Sequence, residues 1–454
     1  MMPSLRPLAP GAPSSTDQPP FAWDELWFGS VIRPLWELSR NQWLPPERLS
    51  ELQDHRVRAL IGHAYARVPY YRQLFDARGL SPNDIRSVDD LARIPVLTRQ
   101  VVLERRAELL AERVDPERCR RTRTNGTTGL PLVLYRTRAE VTHGNLTYLR
   151  ALLANGFRVW DKQLFVTGAV GDVLPEARHW LDRLRRLRKR HIHTATEIGE
   201  QTRLLRAFQP DVIMGFNQGL RTLARAIMKD GTDDISPRLV SGGGDQVDDP
   251  TRTDIKAAFG VELCDKYGTS EADCVAWECP AHAGYHLSAD SVVVEFLRDG
   301  RPARPGEAGH VIVTPLHLRA MPLIRYDLGD IATPMSGQCP CGRGLPRMQL
   351  IEGRTDSFIT LPSGTVLPGT GTFSRSLNGE PSVVDWQVVQ EDYDRIEVRM
   401  TVQGDVSATV ARVHQNLNAL LRHEATVRIE VVDRVRENPG AKMRRVVSRV
   451  PAGF

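Results

Sequence analysis

The sequence predicts a layered α/β protein, a large N-terminal unit followed by a smaller αβ unit, and three observations carry that expectation. Between residue 119 and about 335, helical patterns alternate with short apolar strands such as Gln163-Leu164-Phe165-Val166 and Asp211-Val212-Ile213-Met214. Such alternation argues for a sheet layered with helices. From Val292 to Pro315 the runs Val292-Val293-Val294-Glu295-Phe296 and Gly309-His310-Val311-Ile312-Val313 predict a more antiparallel or barrel-like part. After Asp356 the character changes to a compact αβ unit of about a hundred residues, an ordinary domain size.

Taken in order, residues 1–20 are rich in Pro, Ser and Ala and lack the apolar block of a secretory signal. They are expected to be a disordered leader. Residues 21–115 read as helical, with Trp23, Trp27, Trp36 and Trp43 among Leu and Ile. Those tryptophans are expected in core or lid packing. The basic run Arg183-Leu184-Arg185-Arg186-Leu187-Arg188-Lys189-Arg190 reads as a solvated amphipathic helix, because helical spacing puts Trp180, Leu184 and Leu187 on one face and most cations on the other. In the last unit Val406, Val410, Val413, Leu417, Leu420 and Leu421 share one helical face. Strands are predicted at Trp386 to Val389, Ile396 to Met400 and Val427 to Val432. The expected organisation is a leader over 1–20, an N-terminal domain over 21–355 and a C-terminal domain over 356–454.

Bulk properties set limits but choose no chemistry. At 454 residues and 41% hydrophobic composition the chain can bury a large core in two or more domains. A net charge of +5 is mild and does not by itself imply nucleic acid or membrane partners. No apolar run approaches the roughly 18 residues that span a bilayer. The expectation is a cytoplasmic protein with reduced cysteines.

The segment Arg123-Thr124-Asn125-Gly126-Thr127-Thr128-Gly129-Leu130-Pro131 packs hydroxyls, an amide and two glycines into a loop followed by Pro. Glycines let backbone N–H groups approach an anion, and the Thr hydroxyls and Arg123 add donors, so the loop is suited to phosphate. It lacks the Lys and following hydroxyl of G-x-x-x-x-G-K-[ST]. Three further segments follow: Tyr267-Gly268-Thr269-Ser270-Glu271, Tyr326-Asp327-Leu328-Gly329-Asp330 and Glu352-Gly353-Arg354-Thr355-Asp356.

In this order and at these separations the four segments resemble the adenylate-forming (acyl-CoA synthetase/ligase) superfamily, and within it the phenylacetate–CoA ligase-like branch. The resemblance extends to His63-Ala64-Tyr65-Ala66-Arg67-Val68-Pro69-Tyr70-Tyr71-Arg72, Phe208-Gln209-Pro210-Asp211-Val212-Ile213-Met214-Gly215 and Ser241-Gly242-Gly243-Gly244-Asp245. It implies a large multi-subdomain ATP- and acid-binding domain with a small, mobile, hinged αβ C-terminal domain. It also implies a two-step reaction in which a carboxylate attacks the α-phosphate of ATP and the acyl adenylate then passes to a nucleophile. Charge stabilisation and orientation are what such chemistry asks of a protein.

Carried over by resemblance, Thr124, Asn125, Gly126, Thr127, Thr128 and Gly129 would cover the β- and γ-phosphates. Ser270 would bond a phosphate oxygen, and Glu271 would help hold Mg²⁺, which prefers oxygen ligands and phosphates. Tyr267 and Gly268 would lie along the adenine and acyl site, Asp330 would accept the ribose hydroxyls, and Arg354 would reach ribose or phosphate. Lys442, in Asn438-Pro439-Gly440-Ala441-Lys442-Met443-Arg444-Arg445, would be the catalytic lysine, with Asp356 the pivot that delivers and withdraws it. Two departures stand out: Asn125 replaces the usual Ser, and Leu130 stands where Lys is frequent, so phosphate binding would lean on backbone and Arg123.

A second constellation is metal-like. Cys279-Pro280-Ala281-His282-Ala283-Gly284-Tyr285-His286 is followed by Cys339-Pro340-Cys341-Gly342-Arg343. Three thiolates and an imidazole suit tetrahedral Zn²⁺, and the preferred ligands are Cys279, His286, Cys339 and Cys341, with His282 and Cys274 as substitutes. The alternative is a set of reduced cysteines with no metal. The resemblance implies a structural role for such a site. Cys119 and Cys264 have no evident partner.

The functional expectation is an ATP-dependent acid–thiol ligase (AMP-forming) using ATP, Mg²⁺ and CoA on a small carboxylic acid. A carrier protein or an amine remains open as acceptor, and a non-catalytic nucleotide-binding relative is the other class. No membrane or nucleic acid partner is expected. The region about Val166 to Pro175 and Phe216 to Gly219, which would shape the acyl pocket, carries no aromatic-acid signature.

Overall fold

The computed structural model describes residues 31–123, 132–167, 188–194, 196–231, 234–245, 247–352, 358–435 and 445–450. The predicted helix–strand alternation forms a five-stranded parallel sheet in the order Lys189–His193, Gln163–Thr167, Val212–Gly215, Leu239–Ser241, Leu263–Cys264. Alternate residues of each strand face opposite layers. Leu164, Val166, Ile213 and Val240 pack with Leu205, Leu220, Leu223, Ile227, Ile255 and Phe259 from the helices Ile198–Phe208, Asn217–Asp230 and Asp249–Phe259. Phe165, Val212, Met214 and Leu239 pack the other way, against Leu149, Leu152 and Leu153 of the helix Arg138–Ala154. That helix starts with a reciprocal cap between Thr137 and Glu140.

The Val292–Pro315 region is antiparallel, as predicted, and belongs to an eight-stranded sheet. Its order is Arg301–Pro302, Val292–Arg298, Gly309–Pro315, Tyr326–Met335, Arg347–Glu352, Tyr285–Leu287, Asp273–Glu278, Lys266–Thr269. Tyr267 on the last strand donates its hydroxyl to Asp330 Oδ2 at 2.5 Å. Four strand steps separate those two residues in the sheet order, which in a flat sheet would hold them about 19 Å apart. The sheet therefore curls, and irregularities in register at Tyr267/Gly268 and Ile331/Ala332 supply bends.

Residues 33–109 are mostly helical, with Arg33–Asn41, Pro46–Arg67 and Pro69–Ala77 the longer pieces. The expected core placement of the tryptophans is corrected at two positions. Trp36 and Trp43 are 58% and 53% exposed. Each is covered by a cation instead, the Arg40 guanidinium 5.3 Å from the Trp36 ring and Arg343 4.6 Å from Trp43. Trp23 and Trp27, the 1–20 leader and Trp180, Leu184 and Leu187 lie outside the described residues.

The C-terminal αβ unit has its own core. Strands Thr426–Val431, Arg395–Val402, Val383–Asp392 and Val446–Ser448 form one sheet, against which Val406–Leu420 lays Val413, Leu417 and the following Leu421. Val406, assigned to the same face, is 43% exposed at the helix's first turn. Among the described residues, hydrogen bonds that tie this unit to the large one include Asn378 Nδ2 to Asp248 Oδ2 and Arg445 Nη2 to Gln218 Oε1 at 2.9 Å.

Candidate functional site

Tyr267 and Gly268 lie on the strand Lys266–Thr269, and Ser270 and Glu271 form the turn into Asp273–Glu278. Gly268 is required there, because a Cβ would stand 2.2 Å from the Tyr148 hydroxyl and 2.9 Å from the Asp273 carbonyl. Asp330 is buried and accepts from Tyr267. Burial and the Glu271 carboxylate push the Tyr326 phenol up, so the turn and the strand that carries Asp330 are coupled electrostatically. Of the residues assigned to nucleotide and metal, the fold thus gathers Tyr267, Gly268, Ser270 and Glu271 on one edge strand and its turn, and the curl brings Asp330 to Tyr267.

Asp273 adopts φ +57°, a conformation sparsely used by non-glycine residues. Two groups hold it. Arg136 Nη1 donates to Asp273 Oδ1 at 2.5 Å, and the His317 Nε2 lies 3.0 Å from Oδ2. Burial pushes the Asp273 carboxyl up, but Arg136 and His317 outweigh it and hold the group below its ordinary range. Arg136 Nη2 also donates to the Ser270 carbonyl at 2.6 Å. Gly144 makes room for the carboxylate, since a Cβ there would meet Asp273 Cγ at 2.4 Å. His143 stacks on His317 with centroids 4.4 Å apart, and burial pushes His143 down to about 3, so it is neutral near pH 7. Two cavities of about 290 and 530 Å³ share His143, His317 and Arg319, and neither is lined by Tyr267, Ser270, Glu271 or Asp330.

Thr124 to Gly129, Arg354, Asp356 and Lys442 lie outside the described residues. Their flanks are informative. The antiparallel strands Arg120–Arg123 and Val133–Arg136 bracket the Thr-rich loop, pairing Arg123 with Val133. Arg445, shortly after Lys442, stacks on Trp386 at 4.7 Å while bonding Gln218 of the large unit. The Gly-rich segment before the Tyr267 strand is tightly packed: a Cβ on Gly243 would stand 2.9 Å from the Lys266 carbonyl, and Asp245 accepts the Asn217 and Gln218 amides. Sequence reasoning missed Arg136, Asp273 and His317. Asp273, two residues past Glu271, was within reach of motif reading, but Arg136 pairs across 137 positions and left no local signal.

At the other end of the strand Asp273–Glu278, the Cys279, His286, Cys339 and Cys341 ligand atoms all lie within 4.8 Å of one another. Cys279 Sγ is 3.7 Å from Cys339 Sγ, and Cys341 Sγ is 3.3 Å from His286 Nε2. Tetrahedral zinc with Zn–S of about 2.3 Å sets ligand separations near 3.7 Å, so the donor set fits that ion. Burial pushes His286 down to about 4, which keeps the imidazole in its ligating, neutral form. The substitutes are not drawn in: Cys274 Sγ approaches the Ala276 carbonyl, and His282 turns to Glu278. Cys264 donates to Asn155 Oδ1.

A phenylacetate-coenzyme A ligase of Escherichia coli strain K12 is 30% identical over 338 residues, covering 71% of this chain and 75% of the relative. The chain belongs to the phenylacetate–CoA ligase family. The Thermus thermophilus ligase of the same name is 29% identical over 350 residues, 72% of this chain and 74% of its own. No family model matches the chain. In fold this family member resembles a solved 2-hydroxyisobutyryl-CoA ligase in its postadenylation state, with a TM-score of 0.75, 18% identity, and coverage of 90% of this chain and 91% of that one. As a phenylacetate–CoA ligase family member it is an AMP-forming acid–thiol ligase. None of its helices, among the described residues, is long and apolar enough to cross a membrane.

Proposed function

We propose that the chain activates a small carboxylic acid with ATP and passes the acyl group to CoA. In the first step a carboxylate oxygen forms a bond to the α-phosphorus and the bond to pyrophosphate breaks. In the second, the thiol sulfur bonds to the acyl carbon and AMP leaves. The observation that carries the reading is the Tyr267–Asp330 hydrogen bond across the curled sheet, with Ser270 and Glu271 on the adjoining turn. A buried carboxylate with a fixed donor is suited to accepting ribose hydroxyls, and a neighbouring carboxylate suits Mg²⁺ held between protein and phosphates.

In this reading the Thr124 to Gly129 loop and Arg354 complete the phosphate and ribose contacts. Lys442 stabilises charge developing at the α-phosphate, carried by a C-terminal domain, 356–454, that turns about Asp356. The Cys279, His286, Cys339 and Cys341 set holds a structural zinc. Phenylacetate, the acid in the relatives' name, heads the substrates to try. ATP–pyrophosphate exchange across a panel of acids, repeated as thioester formation with CoA and as amide formation with amines, tests the reading. Exchange with no acid sinks the adenylation step, and exchange with product formed only on amines moves the acceptor.

A further inference from the structure

The turn that carries Ser270 and Glu271 is held from beneath by groups the reaction itself does not need to touch. Arg136 sits on the strand that leaves the Thr-rich loop, and its side chain is buried. One guanidinium nitrogen reaches the Ser270 carbonyl at 2.6 Å and the other reaches Asp273 Oδ1 at 2.5 Å. Its Nε is buried without a partner among the described residues, so both bonds it makes are directed at this turn. Asp273 keeps φ +57° while Arg136 and His317 grip its two oxygens from two sides. The helix Arg138–Ala154 is cut to fit: Gly144 admits the Asp273 carboxylate, and four residues on Tyr148 presses on Gly268.

We infer that Arg136, through Asp273 and the Ser270 carbonyl, is the positioning residue that fixes the Ser270–Glu271 turn, and so sets the affinity for the Mg²⁺–ATP complex. The inference rests on the proposed roles of Ser270 and Glu271 and adds what fixes them. A bidentate guanidinium suits the task, because a planar fork binds a carbonyl and a carboxylate at once and the ammonium of Lys cannot reproduce it. Arg136 touches neither phosphate nor acid in this role. Its effect is transmitted to the first half-reaction, where pyrophosphate and metal must be held, and not to thiol attack on an adenylate already made.

The test uses the full chain with Arg136→Met, Asp273→Asn and, as comparator, Glu271→Gln. ATP binding is measured by calorimetry over a range of Mg²⁺, and exchange and transfer from a preformed acyl adenylate are measured separately. Arg136→Met and Asp273→Asn should each weaken Mg²⁺–ATP binding and exchange by roughly 10- to 100-fold, the scale seen when an outer partner of a metal site is removed. Transfer should stay within about threefold, and guanidinium ion added below denaturing concentration should restore part of the Arg136→Met loss. Unchanged Mg²⁺ dependence in both variants, or equal loss in both half-reactions, overturns the inference. Asp273→Asn decides the matter if Arg136→Met fails to fold. A Glu271→Gln enzyme indifferent to Mg²⁺ would instead remove the metal reading of the turn.

Discussion

The two ends of the strand Asp273–Glu278 are built on opposite principles. At the Asp273 end the carboxylate is answered within the protein, with Arg136 on one oxygen and His317 on the other. At the far end the next residue, Cys279, joins two more thiols and a neutral imidazole whose shortest contacts, 3.3 and 3.7 Å, are weak hydrogen bonds at best. On the inference above, a carboxylate held on both oxygens braces the Ser270–Glu271 turn. A cluster of soft donors gains little from itself, and its energy is realised when a cation binds. On the proposed reading the two ends of the strand serve activity and stability separately, and variants should separate the two measurements.

The largest effect is expected at Lys442, on the proposed reading that the C-terminal domain delivers it. Lys442→Ala should lower adenylation by about 10²-fold or more, the scale of one preorganised charge stabiliser, with the melting temperature unchanged. The same variant given preformed acyl adenylate should still transfer the acyl group. Equal loss in both steps would make Lys442 structural and would erase the proposed swing about Asp356.

Next in size is the metal. Protein purified without chelator should contain about one zinc per chain, as a closed tetrahedral site requires. Cys341→Ser should lose it and melt several degrees lower, roughly 2–4 °C for each kcal/mol lost in a domain of 150–250 residues. Exchange activity per folded molecule should hold. A metal-free and fully folded native sample would falsify the assignment, and a Cys341→Ser enzyme that melts normally but cannot adenylate would reverse the comparison between the two ends.

Glu271→Gln should raise the Mg²⁺ needed for half-maximal exchange on the order of tenfold, about 1.5 kcal/mol for one contact to a charged group. Titration of exchange against Mg²⁺ at fixed ATP reads this directly, and the melting curve should not move. Smallest of all, Tyr267→Phe removes one hydroxyl from the buried Asp330 and should cost about 1 kcal/mol, or a few-fold in the KM for ATP. A change in kcat with KM unmoved would show that Tyr267 acts on the chemistry and not on the ribose side.

Much of this was legible in the chain. The helix face of Val413 and Leu417, the strands at Ile213 and Val398, and the antiparallel character around Val292 all appear where periodicity put them. Cys279, His286, Cys339 and Cys341 were chosen on donor chemistry, and the fold gathers those four while leaving His282 and Cys274 aside. Trp36 and Trp43 read wrongly because a large aromatic in an apolar stretch is indistinguishable, from sequence, from one whose face is covered by an arginine.

What the sequence determined by itself is local: the periods of 3.6 and 2 that make helices and strands, and short motifs whose residues act within a few positions of one another. These suffice for the α/β class, the Tyr267 to Glu271 motif and the donor inventory. Tertiary structure alone decided that Tyr267 would meet Asp330 around a curled sheet, and that a guanidinium 137 positions away from Asp273 would brace the turn. The physical reason is that such pairings depend on how far the chain bends between them, which is set by sheet twist, bulges and packing summed over many residues and is written in no single segment.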